Sequence, residues 1–457
     1  MRTLLFSFVL LFFTQVARAQ ITVTSITLNG NLKTQNDIIL RELSFEENKS
    51  YSNEDLTKKI EESKANLINL KLFNFVEINK NETPGTVQVT VDVIERWYIW
   101  PYPVFEIYER NFNTWWKEFA ANNYSNFSRL NYGVFFNWEN FRGRNELLKL
   151  KIRKGFKEHY LLAYEVPYFN KNKTIGINTS LGFFRRKKTH YNTDNNSLQY
   201  FESDNFNSID YDLNTEIVYR NNIHQKHKIK FTYLKSTVSD AITILNSNYL
   251  GDSNTTADLF NISYLLEHEK RDYIIYPLHG YALSFEIKKY FSSDVNHVEL
   301  LTKSEKHIEP FNRFYIGSSF KTKYSTKDNQ PYFIQKALGY EDYVRGYEYY
   351  VVDGQSYWLS KTAIKYALIE KTDFEIPYVK MKQFKKSHYS LYFSVFSDLG
   401  YVFNEQYQAQ NTLNNSLLWG KGIALDCVTY YDKLLRIEYA INRLGEKAVF
   451  LHFSSPF

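Results

Sequence analysis

Two stretches decide how this chain is read: Val344-Arg345-Gly346-Tyr347 and, further on, Phe396-Ser397-Asp398-Leu399-Gly400. The first lies in a polar, tyrosine-rich segment without apolar periodicity and reads as a loop tip. The second closes a run, Leu391 to Gly400, that alternates with period two. Leu391, Phe393, Val395 and Leu399 fall on one face, and Tyr392, Ser394, Phe396, Asp398 and Gly400 on the other. Asp398 therefore turns away from the more apolar face of a strand, carrying a charge that needs a partner. A guanidinium fork, such as that of Arg345, matches a carboxylate. Gly346 beside Arg345 permits a positive-φ turn, so the loop tip can fold inward. Arg345 could then reach Asp398, and such a pair would pin the loop, either as a gate or as a purely structural clamp.

Working outward, the same alternation recurs. Leu148, Leu150 and Ile152 oppose Lys149, Lys151 and Arg153, while Leu435, Ile437, Tyr439 and Ile441 oppose Arg436, Glu438, Ala440 and Asn442. Short turn signals at Phe141–Asn145, Phe169–Lys173, Asn221-Asn222, Arg271–Gly280 and Tyr430–Lys433 alternate with longer polar loops at 185–205, 239–256 and 326–358. Aromatic residues make up 18% of the chain, yet mean hydropathy is only −0.45. This combination predicts an all-β transmembrane barrel over 98–457, with about sixteen antiparallel strands. The last of them, alternating Val449, Leu451, Phe453, Ser455 and Phe457, ends on an aromatic residue.

The N-terminus reads as a secretory leader over 1–19: a basic start, an apolar run from Leu4 to Phe13, and Ala17-Arg18-Ala19 before the cut. Cys427 is the single cysteine, so no internal disulfide framework is expected. The formal net charge of +6 is too small to imply nucleic acid. No glycine-rich phosphate loop, nucleophile elbow or metal-ligand spacing is present, so the reading is non-enzymatic, with no cofactor and no metal.

Residues 20–97 read as a separate β-α-α-β-β unit. Ile21–Leu28 forms a strand, Thr34 caps one helix, Asn53 caps a second, and strands follow at Phe75–Asn79 and Thr86–Val93. With "LNGNLKT", "LKLFNFVEI" and "VTVDVIER", this unit resembles one POTRA (polypeptide-transport-associated) domain. The lid and its anchor resemble those of the BamA-type superfamily of outer-membrane assembly and transport barrels, also called the bacterial surface antigen family. Val344, Arg345, Gly346 and Tyr347 match its lid motif, and Phe396, Asp398 and Gly400 match the anchor on a late strand. Asp353-Gly354 and the turn Arg271–Gly280 also fit. Ser360–Lys365, with its two lysines, departs from the family's usual Asn and acidic residue on the strand after the lid, and suggests a more basic lumen there.

The resemblance implies a bacterial outer-membrane barrel with its POTRA domain in the periplasm, in contact with outer-membrane lipid and lipopolysaccharide. It would assemble outer-membrane proteins or translocate a polypeptide; the alternative is an accessory subunit of a larger envelope complex, with other envelope proteins as partners. Pro101 and Pro103 in the first barrel strand, and Pro456 and Phe457 at the end of the last, mark a seam poor in ladder hydrogen bonds. The family resemblance makes that seam the edge facing a client polypeptide. The POTRA strand carrying Phe75, Val76, Glu77 and Ile78 offers a second edge for β-augmentation. The run Arg185–Lys188 reads as a loop cluster, either solvated or aimed at lipopolysaccharide phosphates.

Overall fold

The computed structural model describes residues 20–107, 112–121, 130–155, 157–292, 295–326 and 329–454. The leader over 1–19, Pro456 and Phe457 lie outside these.

The N-terminal unit is a four-stranded sheet in the order Ser50–Ser52, Gln20–Asn29, Thr86–Glu95, Phe73–Thr83. The two long central strands run parallel and the outer pairs antiparallel. Helices Asn36–Leu40 and Asn53–Asn69 cover it, burying Val23, Ile39, Leu56, Leu67, Phe73 and Val89. Two caps differ from expectation. Thr34 does not cap the first helix, because its hydroxyl donates to Glu95 Oε1 (2.6 Å) and accepts from Asn140 Nδ2 (2.9 Å). A charge-assisted bond to a buried carboxylate outcompetes a helix N–H. The second helix is capped by Ser52, whose side chain accepts from Asp55 N, and Asn53 becomes the first helical residue.

The C-terminal unit is one 16-stranded antiparallel sheet in strict chain order, from Ile99–Ile107 to Lys447–Ser454. Its burial pattern inverts that of a water-soluble protein. Outward positions carry exposed apolar side chains such as Ile152, Ile229, Phe285 and Val395; inward positions carry buried polar ones such as Asn137, Asp210, Lys323 and Asp398. That inversion fits a barrel whose outer face is in hydrocarbon and whose lumen is polar. Among the described residues no helix is long and apolar enough to cross a membrane.

The two edge strands, Ile99–Ile107 and Lys447–Ser454, are not joined by a backbone ladder among the described residues. A ten-residue helix, Phe112–Ala121, stands against the last strand. Several predicted loops are themselves structured: 185–205 contains the hairpin Lys188–Asp194/Ser197–Glu202, and 239–256 contains the helix Asp240–Leu245.

The lipid-facing assignment is testable. Val395 is half exposed near the middle of the 18-residue strand Lys386–Phe403. Val395→Arg is expected to lower stability by about 2–4 kcal/mol in denaturant unfolding from lipid vesicles. An unchanged midpoint would place that face out of the membrane.

Candidate functional site: a lid clamped inside the barrel

The connection between strands Phe314–Ser325 and Ser356–Glu375 does not project from the barrel. It folds back inside, carrying a two-strand clip, Lys336–Leu338 with Val352–Asp353, and Arg345 near its tip. Asp398 reaches it from Lys386–Phe403, where the period-two reading holds residue by residue: Ser394, Phe396, Asp398 and Gly400 are buried, and Phe393, Val395 and Leu399 are exposed. The Asp398 carboxylate is fully buried and accepts from Arg345 Nε (2.7 Å), from Arg345 Nη2 and from the Arg345 backbone N–H (3.2 Å). The guanidinium also lies 3.9 Å from the centre of the Phe396 ring, a geometry that adds cation–π attraction.

The rest of the motif fixes the tip from all sides. Gly346 has φ +91°, the left-handed conformation the turn requires. Its N–H donates to Glu348 Oε2 (2.8 Å), and its carbonyl accepts from Asn442 Nδ2 (3.0 Å). Val344 packs on Gly400, where a Cβ would collide with it and with Leu338. The Tyr347 hydroxyl accepts from Arg443 N (3.3 Å) in the turn before the last strand. Thus Val344, Arg345, Gly346, Tyr347, Phe396, Asp398 and Gly400 converge on one place.

Sequence reading missed three neighbours. Gly420 lies on the next strand, Leu418–Thr429, where a Cβ would run into the Arg345 carbonyl oxygen. A glycine inside a strand pattern is the available signal for such close backbone approach. Asn442 and Glu348 had no comparable signal. Lys361 and Lys365 are indeed inward: Lys361 sits opposite Asp398 in register, with its ammonium over the Tyr343 ring, and Lys365 donates to Pro277 O (3.2 Å).

Glu348, Glu438 and His452 come together although nothing in their spacing predicted it. His452 Nε2 lies 3.1 Å from Glu438 Oε1 and 3.6 Å from Glu348 Oε1, and one ligand atom from each lies within 4.8 Å of the others. Two carboxylates and an imidazole form a donor set that a divalent transition metal could occupy. An imidazolium between two carboxylates satisfies the same geometry without a metal. This cluster modifies the sequence expectation that no metal ligands are grouped.

At the opposite end, the N-terminal domain docks on the barrel's short turns. Glu42 is buried and accepts from Arg220 Nη1 (2.6 Å), Arg220 Nη2 (2.7 Å) and the Tyr168 hydroxyl (3.1 Å). Arg96 grips Asp432 with two bonds of 2.7 and 3.0 Å, and the Tyr273 hydroxyl donates to the same carboxylate. Burial pushes the Glu42 carboxyl up, but the Arg220 charge and hydrogen bonds outweigh it and hold the group below its ordinary value. For Asp432, burial is likewise outweighed, by Arg96 and Tyr273. A cavity of about 710 Å³ lies at this junction, lined by charged groups including Glu42, Arg96, Arg220 and Arg271.

Pro101 and Pro103 lie in the first barrel strand, opposite Phe136 and Val134 of its one ladder partner among the described residues. The strand Phe73–Thr83 of the N-terminal domain is a sheet edge, but its first half is covered. Phe75 and Val76 are buried, the Phe75 ring carries Lys386 Nζ at 4.4 Å, and Glu77 pairs with Lys386 at 3.6 Å. Ile78 is half-buried, and the exposed edge runs from Asn79 to Thr83. Arg185–Lys188 is not a free loop cluster: Arg185 and Arg186 belong to a strand, Arg185 pairs with Glu158 (2.7 Å), Arg186 with Asp210, and Lys188 with Glu202 (3.2 Å).

With this geometry in hand, comparison with known proteins defines the class. The POTRA family, described as a surface antigen variable number repeat, matches residues 21–96, and the Omp85 superfamily domain matches residues 140–448. The chain belongs to the Omp85 superfamily: an outer-membrane-type barrel preceded by a POTRA domain, and BamA-like. Among solved structures it is similar to BamA from Haemophilus ducreyi lacking POTRA domains 1–3. That match has 14% identity and a TM-score of 0.54, and covers 95% of this chain and 84% of that one. It is also similar to CdiB from Escherichia coli, at 11% identity and a TM-score of 0.54, covering 95% and 75%. At these identities the likeness concerns the fold. No curated protein matches the sequence.

Two outcomes follow from the clamp and the docking. Removing one partner of the buried pair strands the other, so Arg345→Ala and Asp398→Ala should each weaken lid anchoring by about 3–5 kcal/mol. The pair is tested by protease cleavage between 339 and 351, slow in the native protein and fast in both variants. A double variant no worse than either single one would show direct coupling. For the docked domain the depressed carboxylates set the sign: their contribution is complete above their ordinary values of 4.5 and 3.8 and is lost as pH falls below them. Energy transfer between a POTRA label and a barrel label should fall reversibly in that acid range, and Glu42→Gln should lower it already at neutral pH.

Proposed function

We propose that this protein is a non-enzymatic outer-membrane factor that inserts an outer-membrane protein or passes a polypeptide across the membrane, with its POTRA domain in the periplasm. The observation that carries the reading is the seam. Sixteen strands form one sheet, yet among the described residues its first and last members are not laddered together. Unpaired strand edges are templates for another strand. Pro101 and Pro103 keep donors out of the first strand and so weaken any permanent closure there. The lid clamped by Arg345 and Asp398 lies inside the barrel, which favours the wall, rather than a central pore, as the route. The exposed Asn79–Thr83 edge of the POTRA sheet is the receiving surface.

Photo-crosslinking amino acids placed at Phe105 and at Lys80 in living cells test this directly. Crosslinks from both positions to a set of extended outer-membrane or exported polypeptides are expected. One stoichiometric partner at both positions, with no transient client, would instead support the accessory-subunit reading. That second reading has its own observation: the docked POTRA domain touches turns around the barrel mouth, through Gly143, Lys173, Arg220, Arg271 and Asp432, and so closes the route from that side.

A further inference from the structure

The seam is not empty. Helix Phe112–Ala121 follows the first strand and carries Phe112, Trp115, Trp116 and Phe119 at helical spacing, as one aromatic stripe with ring stacking between Trp115 and Phe119 at 4.6 Å. Trp116 is exposed. The remaining face bears Asn113, Thr114 and Lys117, and each of these touches the barrel interior or its wall. Thr114 Oγ1 donates to the Glu348 carbonyl (3.3 Å), Lys117 Nζ lies 4.5 Å over the Tyr349 ring, and the Phe112 ring meets Phe453 edge-on at 6.0 Å. The helix is amphipathic in the sense that a position between lipid and lumen requires.

Asn113 is the informative residue. It is buried, its Nδ2 donates to the Leu451 carbonyl (3.0 Å), and its Oδ1 accepts from the Leu451 N–H (2.8 Å). Leu451 is in register with Ile437 on the preceding strand. In an antiparallel ladder each residue directs both its N–H and its carbonyl to the same side. Because both of these groups on Leu451 go to Asn113, they face away from Ile437, out of the sheet's last edge. A carboxamide offers one carbonyl and one N–H donor in a plane, as a peptide unit does. Asn113 therefore makes the paired contact that one residue of an incoming strand would make.

We propose that helix Phe112–Ala121 is a built-in occupant of the seam, holding through Asn113 the backbone groups of Leu451 that a foreign strand must take. The occupant it excludes is an extended polypeptide of alternating polar and apolar residues; this identification rests on the polypeptide-handling reading above, whereas the occupancy itself does not. The contacts of Thr114 and Lys117 with Glu348 and Tyr349 tie the helix to the segment just after Arg345. Displacement of the lid and release of the edge are thereby one movement.

The test uses the full chain in phosphatidylcholine vesicles, with barrel folding checked by heat-dependent gel mobility. Asn113→Leu removes both bonds and roughly keeps the shape; Asn113→Ala removes both with a smaller side chain, and serves if the first variant fails to fold. Hydrogen exchange over residues 447–454 should accelerate about tenfold in the variants, the expected effect of losing these bonds, while residues 229–235 on the far wall stay unchanged. A fluorescent peptide with the sequence of residues 225–238, a soluble alternating strand, should bind the variants and not the native protein. Unchanged exchange over 447–454 overturns the proposal. Equal peptide binding to native and variant proteins overturns it too, since the helix then excludes nothing. Faster exchange with no peptide binding to any form supports the occupancy and counts against the polypeptide reading, so the two ideas fail separately.

Discussion

The structure depends on a charge pair placed where charge is expensive. Arg345 and Asp398 are withdrawn from water in the lumen, and each supplies the partner that the other's buried charge needs. What the pair supplies is position more than stability. The Asp398 carboxylate takes three donors from one residue, two from the side chain and one from the backbone, so it fixes the direction of the chain as well as its location. Everything around it is cut to that position: glycines at 400 and 420 leave room for Val344 and for the Arg345 carbonyl, and Asn442 closes on the Gly346 carbonyl. A lysine at position 345 would lose the fork that makes the fit two-pronged.

Much of this was legible from sequence because period two leaves no freedom. Once Val395 faces lipid, Asp398 cannot, and the only question is which cation meets it. The strand count was legible for the same reason, since turns punctuate each alternating run. The parts that were not legible are those in which side chains distant in sequence compete for one group. Thr34 looked like a helix cap, but Glu95, a buried carboxylate on a strand distant in sequence, accepts its hydroxyl hydrogen bond. Arg185 to Lys188 looked like a surface cluster, yet Glu158, Asp210 and Glu202, which no local pattern ties to them, neutralise three of the four. The Glu348, Glu438 and His452 cluster was invisible because it joins a loop and two strands whose alignment depends on the lid being folded. Helix Phe112–Ala121 went unread because its aromatic stripe follows a strand with the same aromatic content.

The two ends of the barrel are closed by different physics. On the POTRA side the contacts are buried ion pairs, Glu42 with Arg220 and Arg96 with Asp432, backed by tyrosine hydroxyls. Such contacts are strong while intact and respond to charge, because a single lost partner leaves a buried ion. On the far side the closure is mixed. A buried apolar cluster with Leu338, Val344, Tyr347 and Val352 at its centre binds the lid to Leu359, Val402 and Leu418 of the wall. Both closures therefore hold a buried ion pair, and the lid adds this apolar cluster, which does not titrate, to its own.

The seam then emerges as the least settled part of the wall. In hydrocarbon every backbone N–H and carbonyl needs a partner, and a closed ladder is the usual solution because it leaves no edge. Among the described residues the two edge strands have no mutual ladder, so their outward groups must be satisfied otherwise. Two prolines in the first strand reduce the number of donors to be satisfied. On the last strand, Asn113 satisfies Leu451 with a side chain. A side-chain amide is a weaker competitor than a strand, because it makes one paired contact where a strand makes several in succession and gains cooperatively from each. An edge held by such a contact is sealed against lipid at rest yet yields to a long enough extended partner, which is the asymmetry that a wall built to admit polypeptide requires.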